Sequence, residues 1–169
     1  NNTVTLSGVS TTSGGNISAD GKLIATYGNV IGGFGMAASL NNSVTLDNKK
    51  SESKIAGSVA GGIAGGTAAQ NNVTIAGNDS TKLIEVGSAV IGGAGLAGNA
   101  TGNFVNLTNV NVSKKMTNIT LDNASNTTIY NGGGLVIGGY GAVDAAFNTV
   151  QMVGGAINSS AIGGWAVGN

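Results

Sequence analysis

The chain has no cysteine, no proline and no histidine, and its seven basic residues are all lysine. Without cysteine there is no disulfide to staple it. Without cysteine and histidine, the usual zinc ligands and the Ser-His or Cys-His nucleophile pairs are missing. We therefore expect no metal site, no catalytic residues and no cofactor. A formal net charge of zero and no arginine leave no basic patch, so nucleic acid is not an expected partner. Charged residues make up 8% of the chain, against a typical ~25%. No apolar run reaches the ~18 residues of a membrane-crossing helix, so no direct membrane insertion of this segment is expected. Aromatics number only seven, too few for the bulky core of a large globule.

Glycine supplies 31 of the 169 residues, and Asn, Ser and Thr dominate the polar remainder. Such polarity suits a disordered chain, but two observations oppose that reading. Leu, Ile, Val and Phe total 41 residues, about 24%, above the ~20% that marks disorder. With no net charge the chain does not repel itself open. The apolar residues are mostly β-branched and come in short alternating words, which favours strands.

A Gly-Gly pair recurs in a fixed setting. Val30-Ile31-Gly32-Gly33-Phe34-Gly35 returns as Val59-Ala60-Gly61-Gly62-Ile63, Val90-Ile91-Gly92-Gly93-Ala94-Gly95 and Val136-Ile137-Gly138-Gly139-Tyr140-Gly141, then as Ala161-Ile162-Gly163-Gly164-Trp165. A second word follows the first four copies, centred on Val44, Val73, Val105 and Val150. The arcs Gly32 to Val44, Gly61 to Val73 and Gly138 to Val150 are equal in length, and Gly92 to Val105 is longer by a single residue. Asn2-Thr3-Val4-Thr5-Leu6 belongs to the same set. The return from this word to the next Gly-Gly varies far more, shortest from Val150 to Gly163 and longest from Val105 to Gly138. A constant arc between two strand words, repeated along a chain, predicts stacked turns. The expected fold is all-β, a parallel β-helix or β-solenoid of irregular 25–45-residue repeats, in one segment spanning residues 1–169. Such a segment would form a rod of roughly 30–40 Å at ~4.8 Å per turn.

Alternation places Val44 and Leu46 on one face and Ser43 and Thr45 on the other, and the Val/Leu face is assigned to the core. The longest gap holds a further match, Asn118-Ile119-Thr120-Leu121-Asp122-Asn123. It predicts an extra stacked strand at Ile119 and an inserted half-turn between Val105 and Ile119. Asp20-Gly21, Asp47-Asn48, Gly77-Asn78-Asp79 and Asn131-Gly132 are turn formers. Lys49-Lys50 and Lys114-Lys115 are expected in solvent. A Gly-Gly column permits a corner, a bulge or a close approach of neighbouring turns.

The stretch VIGGAGLAGNATGNFVNLTNV, Val90 to Val110, and its partner VIGGYGAVDAAFNTVQMVGG resemble passenger segments of autotransporter adhesins of Gram-negative bacteria. The resemblance lies in the repeats and spans the whole chain. It implies a parallel β-helix passenger, exported through its own C-terminal β-barrel and displayed outside the cell. Both ends of the sequence fall mid-repeat, so a fragment of a longer passenger is expected. Ser159-Ser160-Ala161-Ile162-Gly163 also fits the words of trimeric autotransporter heads, whose shorter period does not fit.

The remaining chemistry is thin. A calcium roll needs Gly-Gly-x-Gly-x-Asp, but Ala37 and Ala97 stand at the Asp position. Glycoside cleavage needs two carboxylates about 5–9.5 Å apart. Asp20, Asp47, Asp79, Asp122, Asp144, Glu52 and Glu85 are the available ones, most in turn-like settings. Asp47 and Asp122 match in repeat position, which points to a structural turn. The residue after Gly-Gly is Phe34, Ile63, Ala94, Tyr140 and then Trp165. Phe34, Tyr140 and Trp165 are the candidate ligand-binding residues if the column faces out; facing in, they fill the interior. Asn-x-Ser/Thr occurs twelve times. It reads as a glycan acceptor or as Asn and Thr on one strand face, stabilising stacked turns as ladders.

The expected function is structural and adhesive, not enzymatic: a rigid stalk on the bacterial cell surface. Its partners would be a host or bacterial surface protein or glycan, or further copies of itself. The alternatives are a subunit of a self-assembling extracellular filament and a β-helix polysaccharide-degrading enzyme.

Overall fold

The computed structural model describes residues 1–9, 11, 28–48, 53–79, 81–113, 120–121, 127–128 and 134–168. Among these there is no helix. The chain is all-β, and nearly all its strand pairs are parallel.

Strand β1 (Thr3–Ser7) is followed by β2 (Val30–Gly35) and β3 (Ala38–Leu40). A second pass gives β4 (Ser43–Asp47), β5 (Lys54–Ile55), β6 (Val59–Ala64) and β7 (Thr67–Ala69). A third gives β8 (Asn72–Ala76), β9 (Ile84–Val86), β10 (Ala89–Gly95) and β11 (Ala100–Thr101). The fourth holds β12 (Phe104–Val112), β13 (Thr120–Leu121), β14 (Thr127–Thr128), β15 (Leu135–Gly141) and β16 (Ala145–Ala146). Strands β17 (Thr149–Ile157) and β18 (Ala161–Ala166) come last.

Each pass visits the same three sheets in the same order. The Val words pair as β1-β4-β8-β12-β17, and β5 and β9 extend this sheet sideways, with β9 pairing to the far half of β12. The Gly-Gly words pair as β2-β6-β10-β15-β18. A short sheet, β3-β7-β11-β16, links the two. The Gly-Gly words begin at Val30, Val59, Val90, Val136 and Ala161, so the pass from Val90 to Val136 uses the most chain and the pass from Val136 to Ala161 the least. Among the described residues, five levels make four steps of ~4.8 Å, about 19 Å. The roughly 30–40 Å expected from the sequence counts every residue in such steps, whereas the pass from Val90 to Val136 spends far more chain on one level than the others do.

Register follows the words residue by residue. Val4, Val44, Val73, Val105 and Val150 form one column, and Leu6, Leu46, Ile75, Leu107 and Met152 another. Both columns face inward, where they pack with Val30, Val59, Val90 and Val136 of the Gly-Gly sheet. A one-residue slip would replace Val and Leu in this core with Ser and Thr, which is why the pairing is unambiguous. The Gly-Gly sheet is apolar on its other face too. Ala60, Ile63, Ile91, Ala94 and Ile137 form a second buried cluster there. A continuous apolar run without alternation is what a strand buried on both faces requires.

Of the match at Asn118–Asn123, only Thr120 and Leu121 are among the described residues; Ile119, the expected site of the extra strand, is not. Thr120 and Leu121 pair antiparallel with Thr128 and Thr127, outside the parallel sheets. Of the stretch expected to be an inserted half-turn, Val105 to Val112 belongs to one strand of the Val-word sheet, and residues 114–119 lie outside the described residues. Asp20-Gly21, Asn131-Gly132, Lys49-Lys50 and Lys114-Lys115 lie outside the described residues.

Candidate functional site

The corner between the short sheet and the Val-word sheet is built the same way at each level. Asn41, Gln70, Gly102 and Phe147 all adopt left-handed backbone, with φ of 55°, 53°, 60° and 56°. The next residue is always asparagine: Asn42, Asn71, Asn103 and Asn148. Asn2 holds the equivalent place before β1. These five side chains form a ladder. The backbone N–H and Nδ2 of Asn42 both donate to Oδ1 of Asn71, at 3.1 and 2.8 Å. Asn71 donates in the same way to Asn103, at 3.0 Å for both bonds. Asn103 does so to Asn148, at 3.0 and 2.9 Å, and Asn2 to Asn42, at 3.0 Å for both. The second Nδ2 hydrogen goes to the short sheet. It reaches Ser39 Oγ from Asn42, Ser39 O from Asn71, Ala68 O from Asn103 and Ala100 O from Asn148. Asn42, Asn71 and Asn103 are buried, and a primary amide spends all its donors here without water.

This ladder explains the Gly-Gly pair. The second glycine faces the amide: a Cβ on Gly33, Gly62, Gly93 or Gly139 would lie under 3.0 Å from the side chain of Asn42, Asn71, Asn103 or Asn148. The first glycine faces the next level. A Cβ on Gly32, Gly61, Gly92 or Gly138 would run into the carbonyl oxygen of Gly61, Gly92, Gly138 or Gly163. None of these pairs has left-handed φ, so close approach and not backbone freedom is what demands glycine. The constant arc is the length needed to bring the amide over its glycine.

The column after Gly-Gly holds in register: Phe34, Ile63, Ala94, Tyr140 and Trp165 are successive neighbours. It lies on the second face of the Gly-Gly sheet, with Ile63 and Ala94 wholly buried. Phe34 is 40% exposed and Trp165 37%, with Tyr140 between buried and exposed. Tyr140 and Trp165 meet edge to face, 5.9 Å between ring centres and 69° between planes. Phe34 stands three levels, about 14 Å, from Tyr140. The structure therefore brings together two of the three candidate residues.

A polar groove runs along the outer side of β5, β9 and β12 and encloses about 460 Å³. Lys54, Glu85 and Asn111 are successive neighbours in its floor. Lys54 Nζ lies 2.5 Å from Glu85 Oε2, with both side chains well exposed. That hydrogen bond, and then the carboxylate charge, holds the Lys54 ammonium above the usual lysine value. Ser53, Thr81 and Lys82 form the walls. The Thr81–Lys82 wall is tied by Asp79, whose Oδ1 accepts from Thr81 Oγ1 at 2.6 Å, Thr81 N at 2.8 Å and Lys82 N at 2.9 Å. These bonds, led by the Thr81 hydroxyl, keep the Asp79 carboxyl below its usual value. The buried amide of Asn48, one level away, clamps the same loop: Nδ2 donates to Lys82 O at 2.6 Å and Oδ1 accepts from Asn78 N at 2.7 Å. A smaller groove of about 200 Å³ shares Glu85 and Asn111 and continues toward Asn158.

Asp47 is not a turn residue. It ends β4 and accepts a hydrogen bond from Ser7 Oγ on the neighbouring strand. Asp122 lies outside the described residues. Among the described residues, no group of three or more His, Cys, Asp or Glu could hold a metal ion, and no helix is long and apolar enough to cross a membrane. The ladder asparagines are not those of the Asn-x-Ser/Thr triplets; each begins Asn-x-Val instead. That Asn-x-Val triplet, at a nearly fixed distance after each Gly-Gly, is the signal by which the ladder could have been found. The groove has no such signal, because its floor mixes Lys, Glu and Asn at one repeat position. No family model matches the chain, and no curated protein or solved structure matches it either.

Proposed function

We infer that this chain is a section of a parallel β-solenoid that serves as a rigid, adhesive stalk on a bacterial cell surface. The observation that supports it best is the asparagine ladder, continuous through five levels and in register with the Val and Leu columns. Chained buried amides strengthen one another and tie each level to the next at a fixed spacing. Such a stack opens only by breaking many bonds at once, which suits an element under shear outside the cell. Its repeat words resemble those of autotransporter passengers, whose export and display would place it there. Its partner on this reading is a protein or glycan of a host or neighbouring cell, or another copy of the chain.

Displaying the segment on a non-adherent bacterium tests the reading. Displaying cells should attach to epithelial cells or to one another several-fold more than cells carrying an unrelated sequence of equal length. Displayed chain that is intact and protease-resistant yet gives no gain in either assay would sink the adhesive part.

A further inference from the structure

We propose that the groove over Lys54, Glu85 and Asn111 binds a carboxylated saccharide. The argument starts from what its polar atoms still have to offer. Ser53 Oγ spends its hydrogen on Asp47 O at 3.0 Å, and Thr81 Oγ1 spends its own on Asp79. Both hydroxyls are thus fixed as acceptors toward the groove. The Glu85 carboxylate is a third acceptor, with its charge offset by Lys54. A ligand here must bring hydroxyl donors in quantity, as a sugar does. Lys82 makes no ion pair among the described residues; the Asp79 carboxylate offsets its ammonium only through space, whereas Lys54 is tied to Glu85. An ammonium in that position calls for an anion, and a carboxylate on the same sugar supplies it. The Asn111 amide donates and accepts at the centre. Asn48 and Asp79 hold the Lys82 wall in place before any ligand arrives, so little ordering is lost on binding. The groove crosses neighbouring levels and shares Glu85 and Asn111 with the smaller one beyond, a course that fits an extended chain of sugar units.

The inference rests on the adhesive reading for its biological setting, but it is measured with soluble sugars and no cells. The two therefore fail separately. Titration calorimetry of the whole chain would compare trigalacturonate, 3′-sialyllactose and neutral maltotriose. One acidic saccharide should bind while maltotriose does not. Trigalacturonate would identify a polyuronate as the source, and sialyllactose a sialylated glycan. Lys82→Gln should weaken the binding roughly tenfold. It keeps the Lys82 backbone bonds to Asp79 and Asn48, and an unchanged melting curve would confirm that the fold survives. Asn111→Ala, on the outer side of β12, reads the same loss at an independent position. Neither acidic saccharide exceeding maltotriose, or binding indifferent to both substitutions, would overturn the proposal.

Discussion

Two sides of each level behave differently. From Gly-Gly to the ladder asparagine the chain covers the same length from Gly32 to Asn42, Gly61 to Asn71 and Gly138 to Asn148, and a single residue more from Gly92 to Asn103. From the Val word onward to the next Gly-Gly no two stretches agree: Val44 to Gly61, Val73 to Gly92, Val105 to Gly138 and Val150 to Gly163 all differ, and the longest is more than twice the shortest. On the first side, a buried amide must land on a glycine that cannot carry a side chain. Even the single extra residue of the third copy is absorbed before the corner. Ala100 follows Gly95 by one residue more than Ser39 follows Gly35, and the two are still in one column through Ala68. The second side has buried polar groups too, among them Asn48, Ser53 and Ser58. These bond to backbone groups of the strands and loops around them and none has to land on a Gly-Gly pair, so length drifts without leaving them unpaired. Sequence spacing is held constant along the chain where a buried amide must meet a glycine of the Gly-Gly pair, and is free where it need not.

Breaking the ladder should produce the largest contrast. Asn71→Ala removes the acceptor for two donors of Asn42 and the donor to Asn103 and Ser39. Unpaired groups in so dry a site cost roughly 1–3 kcal/mol each, so a loss of about 3–5 kcal/mol is expected in urea denaturation. Asn72→Ala, one residue away on the outer face, should stay within about 0.5 kcal/mol. Equal losses would show that the two sides do not differ in the way argued above.

The Val and Leu columns were legible in the sequence because a period of two leaves only one face able to bury them. The stacking of Gly-Gly words was legible because glycine pairs are costly unless something needs their missing Cβ. The reason for that need was not, since Asn42 and Gly33 come together only through the left-handed corner at Asn41, and four different residues occupy that corner. Within the word at Asn118, Thr120 and Leu121 pair antiparallel and not in the parallel stack, because a strand's letters carry its faces but not its partners. Phe34, Tyr140 and Trp165 could be placed in one column from spacing alone. Their unequal exposure depends on the second face of the Gly-Gly sheet, which composition does not reveal.

A smaller effect sharpens the comparison at the corner itself. Phe147 holds left-handed φ with an aromatic side chain that is 89% exposed. It has little packing to lose, and asparagine tolerates this conformation better than other residues with a Cβ. Phe147→Asn should raise stability by about 0.5–1 kcal/mol. Differential scanning calorimetry would register it as a higher Tm. A lower Tm would mean that the ring packs on something the corner needs.

The smallest expected effect lies on the variable side, where the titratable contacts are. The Asp79 carboxyl sits below its usual value of 3.8, so its contribution is complete above that value and is lost as pH falls through the folded one. Lys54 sits above its usual 10.5, so its contribution is complete below that value and is lost as pH rises through the folded one. Between about pH 5 and 9 neither group changes its charge, and the ladder has none to change. Tm should therefore stay level across that range. Below it, the Thr81 and Lys82 amides should lose hydrogen-exchange protection as Asp79 takes up its proton, while the Asn71 and Asn103 amides keep theirs. Loss at all four together would mean that the loop and the ladder open as one unit, and the two sides would then differ in sequence tolerance but not in stability.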